Sequence, residues 1–309
     1  MGDTGCRLKA VDGFQACNDP GAWPFARVAR SIARWRPDVV IQVGDYLYRE
    51  EPCPEGNRGC RGSPFGQNWP TWDADFFSPA APALRAAPWL FVRGDHELCS
   101  RAGPGWFRFL DPGPMPASCQ DVTEPYSVDL GRVRMLVLDT ALASDRAPLN
   151  PDPYVSQFGA LRAMAGSNAW LLAHKPMWGL LPDSSGASVT VLNPTLQAAS
   201  GNSLPPGVRL VLTGHIHLAE VLGFAGVRPP QIVAGISGTL LLPQITAPLI
   251  GMDVVGERLA TATTLARHGF FTFTPRPSGW AATIRDVDGK AMARCRLRGR
   301  SAACGQLRR

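Results

Sequence analysis

The chain is 309 residues long, 45% hydrophobic and only 18% charged, which is enough apolar material for a full core and a length that suits one layered domain over 1–309. Its net charge of +6 is almost all arginine, since lysine occurs only at Lys9, Lys175 and Lys290; such a bias follows genome composition, and no nucleic-acid partner is predicted. No run reaches the roughly 18 apolar residues of a membrane helix, because even Thr239 to Ile250 is broken by Pro243, Gln244 and Pro248, which excludes an integral membrane helix.

In chain order, Trp23 to Trp35 places Phe25, Val28, Ala29, Ile32 and Trp35 at helical spacing. Pro37 and the run Val39 to Val43 follow, which predicts helix, turn and buried strand. The stretch from Arg49 to Phe77 is rich in Gly, Pro, Cys and Trp and has no periodicity, so 51–78 is predicted to be a rim insertion at the substrate mouth. A helical piece near Ala80 to Ala87 leads to a second strand, Trp89 to Val92. Met135 to Leu138 gives a third, Trp170 to Ala173 a fourth and Leu210 to Leu212 a fifth. Short apolar runs alternating with helices argue for α/β layers. Gly269 to Pro275 and Trp280 to Asp286 alternate around Pro277-Ser278-Gly279 as an edge hairpin. The remainder, 290–309, holds Cys295, Cys304, Arg294, Arg296, Arg298, Arg300, Arg308 and Arg309, and is predicted to be a basic, solvated tail.

Eight cysteines fall into four locally spaced couples: Cys6 and Cys17, Cys53 and Cys60, Cys99 and Cys119, Cys295 and Cys304. None forms a CxxC zinc knuckle. An even count suits disulfides in an oxidising compartment, periplasmic or secreted, although eight cysteines allow about 105 connectivities and spacing alone does not choose among them. The opening Met1-Gly2-Asp3 lacks the charged start and apolar run of a signal peptide, so an export signal is expected to have been removed or the start misassigned.

Polar residues with metal-binding chemistry follow nearly every predicted strand. Five motifs stand in order: Gly2-Asp3-Thr4-Gly5, Gly44-Asp45-Tyr46-Leu47-Tyr48, Gly94-Asp95-His96-Glu97, Ala173-His174-Lys175-Pro176 and Gly214-His215-Ile216-His217. Four of the five histidines lie in them, interleaved with Gly-Asp pairs, whereas a lone His after a strand is usually structural. Ligands of open α/β sheets gather at strand carboxyl ends, and mixed carboxylate and imidazole donors with one carboxylate shared are the chemistry of a two-metal hydrolytic site. The neighbouring glycines are expected to let the backbone turn tightly where a side chain would crowd the metals.

In these motifs the sequence resembles the calcineurin-like metallophosphoesterase superfamily, and within it the purple acid phosphatase branch, which is marked by GDxG, GDxxY, GNHE or GNHD, a lone strand-end His and GHxH. The resemblance runs from Met1 to Gly238. It implies a four-layer α/β/β/α sandwich, two packed mixed sheets flanked by helices, in which the strand before Asp3 is missing from this chain through a truncated start. It further implies one metal held by Asp3, Asp45, Tyr48 and His217 and another held by Asp45, Asp95, His174 and His215, with Asp45 bridging. A phenolate Tyr48 favours Fe(III), with Fe(II), Zn(II) or Mn(II) as the second ion.

The implied reaction is hydrolysis of phosphate monoesters, small substrates, by a hydroxide bridging the metals, while His96 contacts the phosphate and protonates the leaving alkoxide. Asp95 stands where the family has Asn. It is counted with His96 among the catalytic residues because its extra charge is expected to weaken anion binding, tighten the second metal and move activity toward low pH. A phosphodiesterase or nucleotidase is the runner-up, and a relative that binds metal or phosphate without turnover is the reading from another class. A structural protein stapled by disulfides explains the cysteines but not the histidines. No protein partner is predicted.

Overall fold

Helix α1 (Phe25–Trp35) forms as its periodicity predicts: Phe25, Val28, Ala29 and Ile32 are buried, and Arg36 closes it in the left-handed conformation at φ 53°. The computed structural model describes residues 1–306. Ahead of α1 lies a small hairpin, β1 (Leu8–Lys9) and β2 (Gly13–Phe14); after it come β3 (Val40–Gln42), α2 (Trp69–Trp72), a π-helical turn at Asp73–Phe77, α3 (Ser78–Leu84) and β4 (Trp89–Phe91). The middle of the chain supplies α4 (Gly103–Phe109), β5 (Tyr126–Asp129), β6 (Arg134–Val137), α5 (Asp152–Met164), β7 (Ala169–Leu172), β8 (Gly179–Pro182), β9 (Val189–Leu192) and α6 (Pro194–Ser200). The rest is β10 (Val208–Thr213), β11 (Ala219–Phe224), β12 (Gln231–Ala234), β13 (Asp253–Val254), β14 (Glu257–Leu265), β15 (Gly269–Arg276), β16 (Gly279–Asp286), β17 (Ala291–Arg298) and β18 (Ser301–Gln306). The five strands read from apolar runs are all present; β11, β12 and β14, the β8–β9 hairpin and helices α5 and α6 were not foreseen.

Eight strands build one mixed sheet in the order β13-β14-β11-β12-β10-β7-β6-β5. Its centre, β6, β7, β10 and β12, is parallel, and β11 and β5 run antiparallel to their neighbours. A second layer starts from the parallel pair β3 and β4. Beside β3, Met1 O accepts from Val43 N at 2.9 Å and Asp3 N donates to Gly44 O at 3.0 Å. On the far side, Ser237 N donates to Gly2 O at 3.2 Å, Thr239 N to Asp3 O at 3.0 Å and Gly269 N to Ile236 O at 2.9 Å. The slot expected to be missing is therefore filled by Met1–Asp3 themselves, and the layer continues through 236–239 into antiparallel β15-β16-β17-β18.

The two layers pack face to face through Leu172, Leu212, Val221 and Ile232 on one side and Val43, Val92, Phe271 and Ile284 on the other. Each such fully buried side chain is worth about 1.5–3 kcal/mol. Helices α5 and α6 cover the outer face of the large sheet through Phe158, Leu161 and Leu196. Helices α1, α3 and α4 cover the other layer through Phe25, Ala80, Trp106 and Phe107. The result is the expected α/β/β/α order.

Two expectations change. Residues 291–306 are no free tail: β17 and β18 form an edge hairpin with Ala293, Cys295 and Leu297 inward and Arg294, Arg296 and Arg298 outward, while Arg308 and Arg309 lie outside the described residues. Within 51–78 the rim is partly helical, through α2 and the π-helical turn. The cysteines pair by spacing, Cys6–Cys17, Cys53–Cys60, Cys99–Cys119 and Cys295–Cys304, and no described cysteine is free. Among the described residues no helix is long and apolar enough to cross a membrane.

Candidate metal centre

The motif residues meet at one end of the two sheets. Asp45 follows β3, Asp95 follows β4, His174 follows β7, and His215 and His217 follow β10. Asp3 reaches the same place from the slot beside β3. Asp3, Asp45 and His215 hold left-handed backbone at φ 58°, 59° and 71°, a conformation that costs a non-glycine residue about 1–3 kcal/mol. It swings each side chain off the strand direction and into the cluster. The cost is met locally: His215 N donates to both Asp3 carboxylate oxygens at 3.1 and 3.2 Å, and Asp45 N donates to Glu97 Oε2 at 3.2 Å.

The glycines beside these residues act differently from the expected turning role. Gly44 alone among them is left-handed, at φ 95°. Their shared function is clearance: a Cβ on Gly94 would strike the backbone nitrogen and carboxylate of Asp45, and one on Gly44 would strike the His174 ring.

Donor atoms converge in two groups, Asp45, Asp95, His174 and His215 in one and Asp3, Asp45 and His217 in the other, each within 4.8 Å and both containing Asp45. The chemistry of the first group calls for a cation. His174 Nδ1 lies 2.7 Å from Val43 O, a pure acceptor, so Nδ1 carries the proton. Nε2 then presents its lone pair 3.2 Å from Asp45 Oδ1 and 3.1 Å from Asp95 Oδ1. His215 Nδ1 faces the same Asp95 oxygen at 3.0 Å. Such acceptors meet only around a proton or a metal ion. Burial disfavours the charged His174 ring, yet the Asp45 and Asp95 carboxylates outweigh it and hold its pKa well above the usual value. The donor set therefore fits divalent or trivalent metal ions.

Tyr48, the aromatic residue of the second motif, places its hydroxyl 2.7 Å from Asp45 Oδ2 and 3.1 Å from both Asp3 Oδ1 and His217 Nε2. Burial, then Asp3 and Asp45, push its pKa well above the ordinary phenol range, partly offset by Arg7, whose guanidinium stands 4.8 Å over the ring. Burial lowers His217 below the usual imidazole value, opposed by the Asp3 carboxylate.

His96 stands beside the shared carboxylate: its N–H donates to Asp45 Oδ1 at 3.0 Å, its Nε2 is 3.8 Å from Asp45 Oδ2, and its ring lies 3.7 Å from that of Tyr48. Its Nδ1 faces Leu47 O and Glu50 Oε1, each at 3.0 Å.

Several supporting residues lay beyond the motif reading. Arg101 donates to Asp95 Oδ2 at 2.9 Å, pairs with Glu50 and comes within 2.8 Å of both His96 ring nitrogens. Asp95 is thus divided, Oδ1 toward the imidazoles and Oδ2 toward a guanidinium. Glu97, quoted in its motif without a role, accepts from the backbone N–H groups of Gly94, Asp45, Tyr46 and Leu47 and pins the turn that carries Asp45. Burial, with the Asp45 charge, pushes its carboxyl up to about 8. Asp75, inside the rim segment, accepts from Cys6 N, Tyr48 N and Arg49 Nε at 2.8, 2.7 and 2.8 Å, tying the rim to the Asp3 and Tyr48 segments. Asp145 touches His215 from a loop without any motif. A buried acid inside a Trp- and Phe-rich run was a usable signal for Asp75; for Arg101 and Asp145 the sequence holds none.

Two facing sheets with helices outside, and a carboxylate–imidazole cluster at their strand ends, match the architecture expected of a metallophosphoesterase. The chain belongs to the calcineurin-like phosphoesterase family, whose profile matches residues 1–219. No curated protein matches it in sequence. In fold it is similar to purple acid phosphatase PPD1 from yellow lupin (Lupinus luteus) seeds, with TM-score 0.58 and 16% identity over 99% of this chain and 52% of that one. It is also similar to PhoD, with TM-score 0.63 and 14% identity over 92% of this chain and 69% of that one. A third likeness is to GAP50, the anchor in the inner membrane complex of Plasmodium, with TM-score 0.54 and 12% identity over 96% of this chain and 87% of that one. The chain spans about half the length of the lupin enzyme.

Proposed function

We propose that this chain is a binuclear metal-dependent phosphatase of the purple acid phosphatase type that hydrolyses phosphate monoesters, acting as one unit over 1–309 in the periplasm or outside the cell. The observation that carries the reading is Asp45, common to both donor groups, with the Tyr48 hydroxyl 2.7 Å from its outer oxygen. In this reading Asp3, Asp45, Tyr48 and His217 would hold one ion, Fe(III), and Asp45, Asp95, His174 and His215 would hold Fe(II), Zn(II) or Mn(II). Bound there, the two ions would polarise the phosphoryl oxygens and supply an attacking water acidic near neutral pH.

The protein's own part is placement and proton handling. His96 Nδ1 faces the acceptors Leu47 O and Glu50 Oε1, each at 3.0 Å, besides the Arg101 guanidinium. That leaves Nε2, on the Asp45 side, to give a proton to the departing alkoxide. The four disulfides support an oxidising compartment.

The test is metal analysis of purified protein paired with rates on 4-nitrophenyl phosphate and its bis ester across pH. Two ions per chain and preference for the monoester support the reading. Preference for the bis ester replaces it with a diesterase or nucleotidase. Two bound ions without turnover favour a binding protein, a reading encouraged by the similar fold of a protein described as an anchor.

A further inference from the structure

Asp145 lies in the irregular stretch between β6 and α5, outside all five motifs, yet its carboxylate sits behind His215. Oδ2 is 3.0 Å from His215 Nε2 and 3.1 Å from Lys175 Nζ, and Oδ1 is 2.7 Å from Asn193 Nδ2. The two latter partners are themselves fixed. Asn193 Oδ1 caps helix α6 by accepting from Leu196 N at 2.9 Å, so its amide must turn Nδ2 toward Asp145. Lys175 is buried and donates also to Ala143 O at 2.8 Å. Lys175 is the residue beside His174 in the fourth motif, and nothing in the chemistry of the site had employed it.

A carboxylate that receives hydrogen bonds from an ammonium and an amide is ionised and can only accept. The proton in the Asp145–His215 contact therefore belongs to Nε2. In the neutral ring that binds an ion, the other nitrogen, Nδ1, then carries the lone pair, and it points 3.0 Å from Asp95 Oδ1 into the four-residue donor group. We infer that Asp145 is a positioning residue, held by Lys175 and Asn193, that fixes the His215 ring and its tautomer so that Nδ1 is the donor offered to a cation. The inference rests on the metal-binding reading proposed above. Carboxylate, imidazole and ion in line are a recurrent arrangement, and loss of the outer carboxylate weakens metal binding on the order of 10–100-fold. Lys175 keeps Asp145 ionised and next to the imidazole, and Asn193 ties the loop to the first turn of α6.

The experiment has two readouts. Calorimetric titration of chelator-stripped protein with Zn(II) counts ions and measures each affinity, and the ¹⁵N shifts of the His215 ring report which nitrogen bears a proton. Asp145→Ala should bind one of two Zn(II) ions on the order of 10–100-fold more weakly and leave the other unchanged. Asp145→Asn, whose amide oxygen can accept the same proton, should recover most of that loss. In wild type, Nε2 should be protonated both with and without Zn(II). A bare Nε2 in the wild type, or wild-type affinity at both sites in Asp145→Ala, overturns the inference. If the wild type binds no Zn(II), the metal reading fails instead, and the ring shifts still decide the Asp145 contact. They do so in the unaltered chain, so a variant that does not fold leaves the question answerable.

Discussion

Around His174 and His215 the outward nitrogens are committed, one to Val43 O at 2.7 Å and the other to Asp145 at 3.0 Å, and formal charges crowd the group: Arg101 on Asp95, Lys175 on Asp145. Around His217 the neighbours are the Tyr48 phenol and the Asp3 carboxylate. The shifts follow suit. Despite burial, Asp145 and Asp95 raise His215 to about 9 and Asp45 raises His174, whereas burial wins at His217 and lowers it. One group is a set of donors locked by fixed charges. The other contains a phenol whose proton stays in place until a strongly charged cation displaces it. The difference teaches that the two positions are unequal before any ion arrives.

The largest expected effect abolishes the comparison. Asp45→Asn removes the negative charge and one oxygen of the residue common to both groups, and phosphatase activity should fall to background, with fewer than two ions per chain by elemental analysis. Full activity with both ions in this variant would show that Asp45 is not shared.

His96→Ala should leave both groups loaded and slow turnover by roughly 10²–10⁴-fold, as expected for a lost proton donor. Loss of an ion along with activity would move His96 among the metal-binding residues.

Asp95→Asn bears on the charged group alone. The extra negative charge expected to repel phosphate does not stand unaccompanied, because Arg101 neutralises Oδ2 at 2.9 Å. Although burial opposes ionisation, Lys175 and His215 keep this carboxyl well below the usual range, so a low-pH shift of activity would have to come from a group other than the Asp95 carboxyl. Asparagine frees the guanidinium for the substrate, and KM for a phosphomonoester should drop about tenfold, equal to about 1.4 kcal/mol. A higher KM would mean that Arg101 serves the protein and not the phosphate.

Tyr48→Phe bears on the other group. Iron-loaded wild type should absorb visible light through a phenolate, and the variant should be colourless with Zn(II) affinity at the Asp95 position unchanged. A colourless iron-loaded wild type would separate the chain from the purple acid phosphatase type.

The smallest effect is a proton count. With pKa values raised, His174 and His215 are protonated at pH 7 in the metal-free chain and must give up protons to bind an ion, while His217, lowered, is already neutral. Calorimetry in buffers of different ionisation enthalpy should show Zn(II) binding to the Asp95 group releasing protons and losing affinity as pH falls from 9 to 6. Binding at the His217 position should change less. Equal release at both would erase the asymmetry.

Most motif residues could be read from the sequence because they follow a strand, and strand ends are visible as apolar runs that stop at Gly-Asp, Ala-His or Gly-His; Asp3, with no apolar run before it, was read from its motif alone. The four cysteine couples were visible because each is close in sequence, whereas which cysteine bonds to which came from the folded chain. Arg101, Glu50 and Asp145 were not visible, since they reach the cluster from irregular segments whose course depends on the finished packing. The hairpin at 291–306 is a different kind of miss. Arg294, Arg296 and Arg298 alternate with Ala293, Cys295 and Leu297, a period of two that marks a half-buried strand, and counting charge obscured it. The glycines were expected at the turns, yet among them only Gly44 is left-handed; the other turns fall on Asp3, Asp45 and His215, and the glycines chiefly give clearance.

The seating of Met1–Asp3 sets an order of assembly. Asp3 is hydrogen-bonded to Gly44 on one side and Thr239 on the other, and its carboxylate receives the N–H of His215, 212 residues away. A nascent chain emerges from its first residue onward, so it can pair β3 with β4 early, but it cannot hold Asp3 from both sides until 239 has left the ribosome. Joining contacts so distant is slow because a long loop must close first. Ion loading at that position therefore waits until the segment around Thr239 has been made and has closed against Asp3.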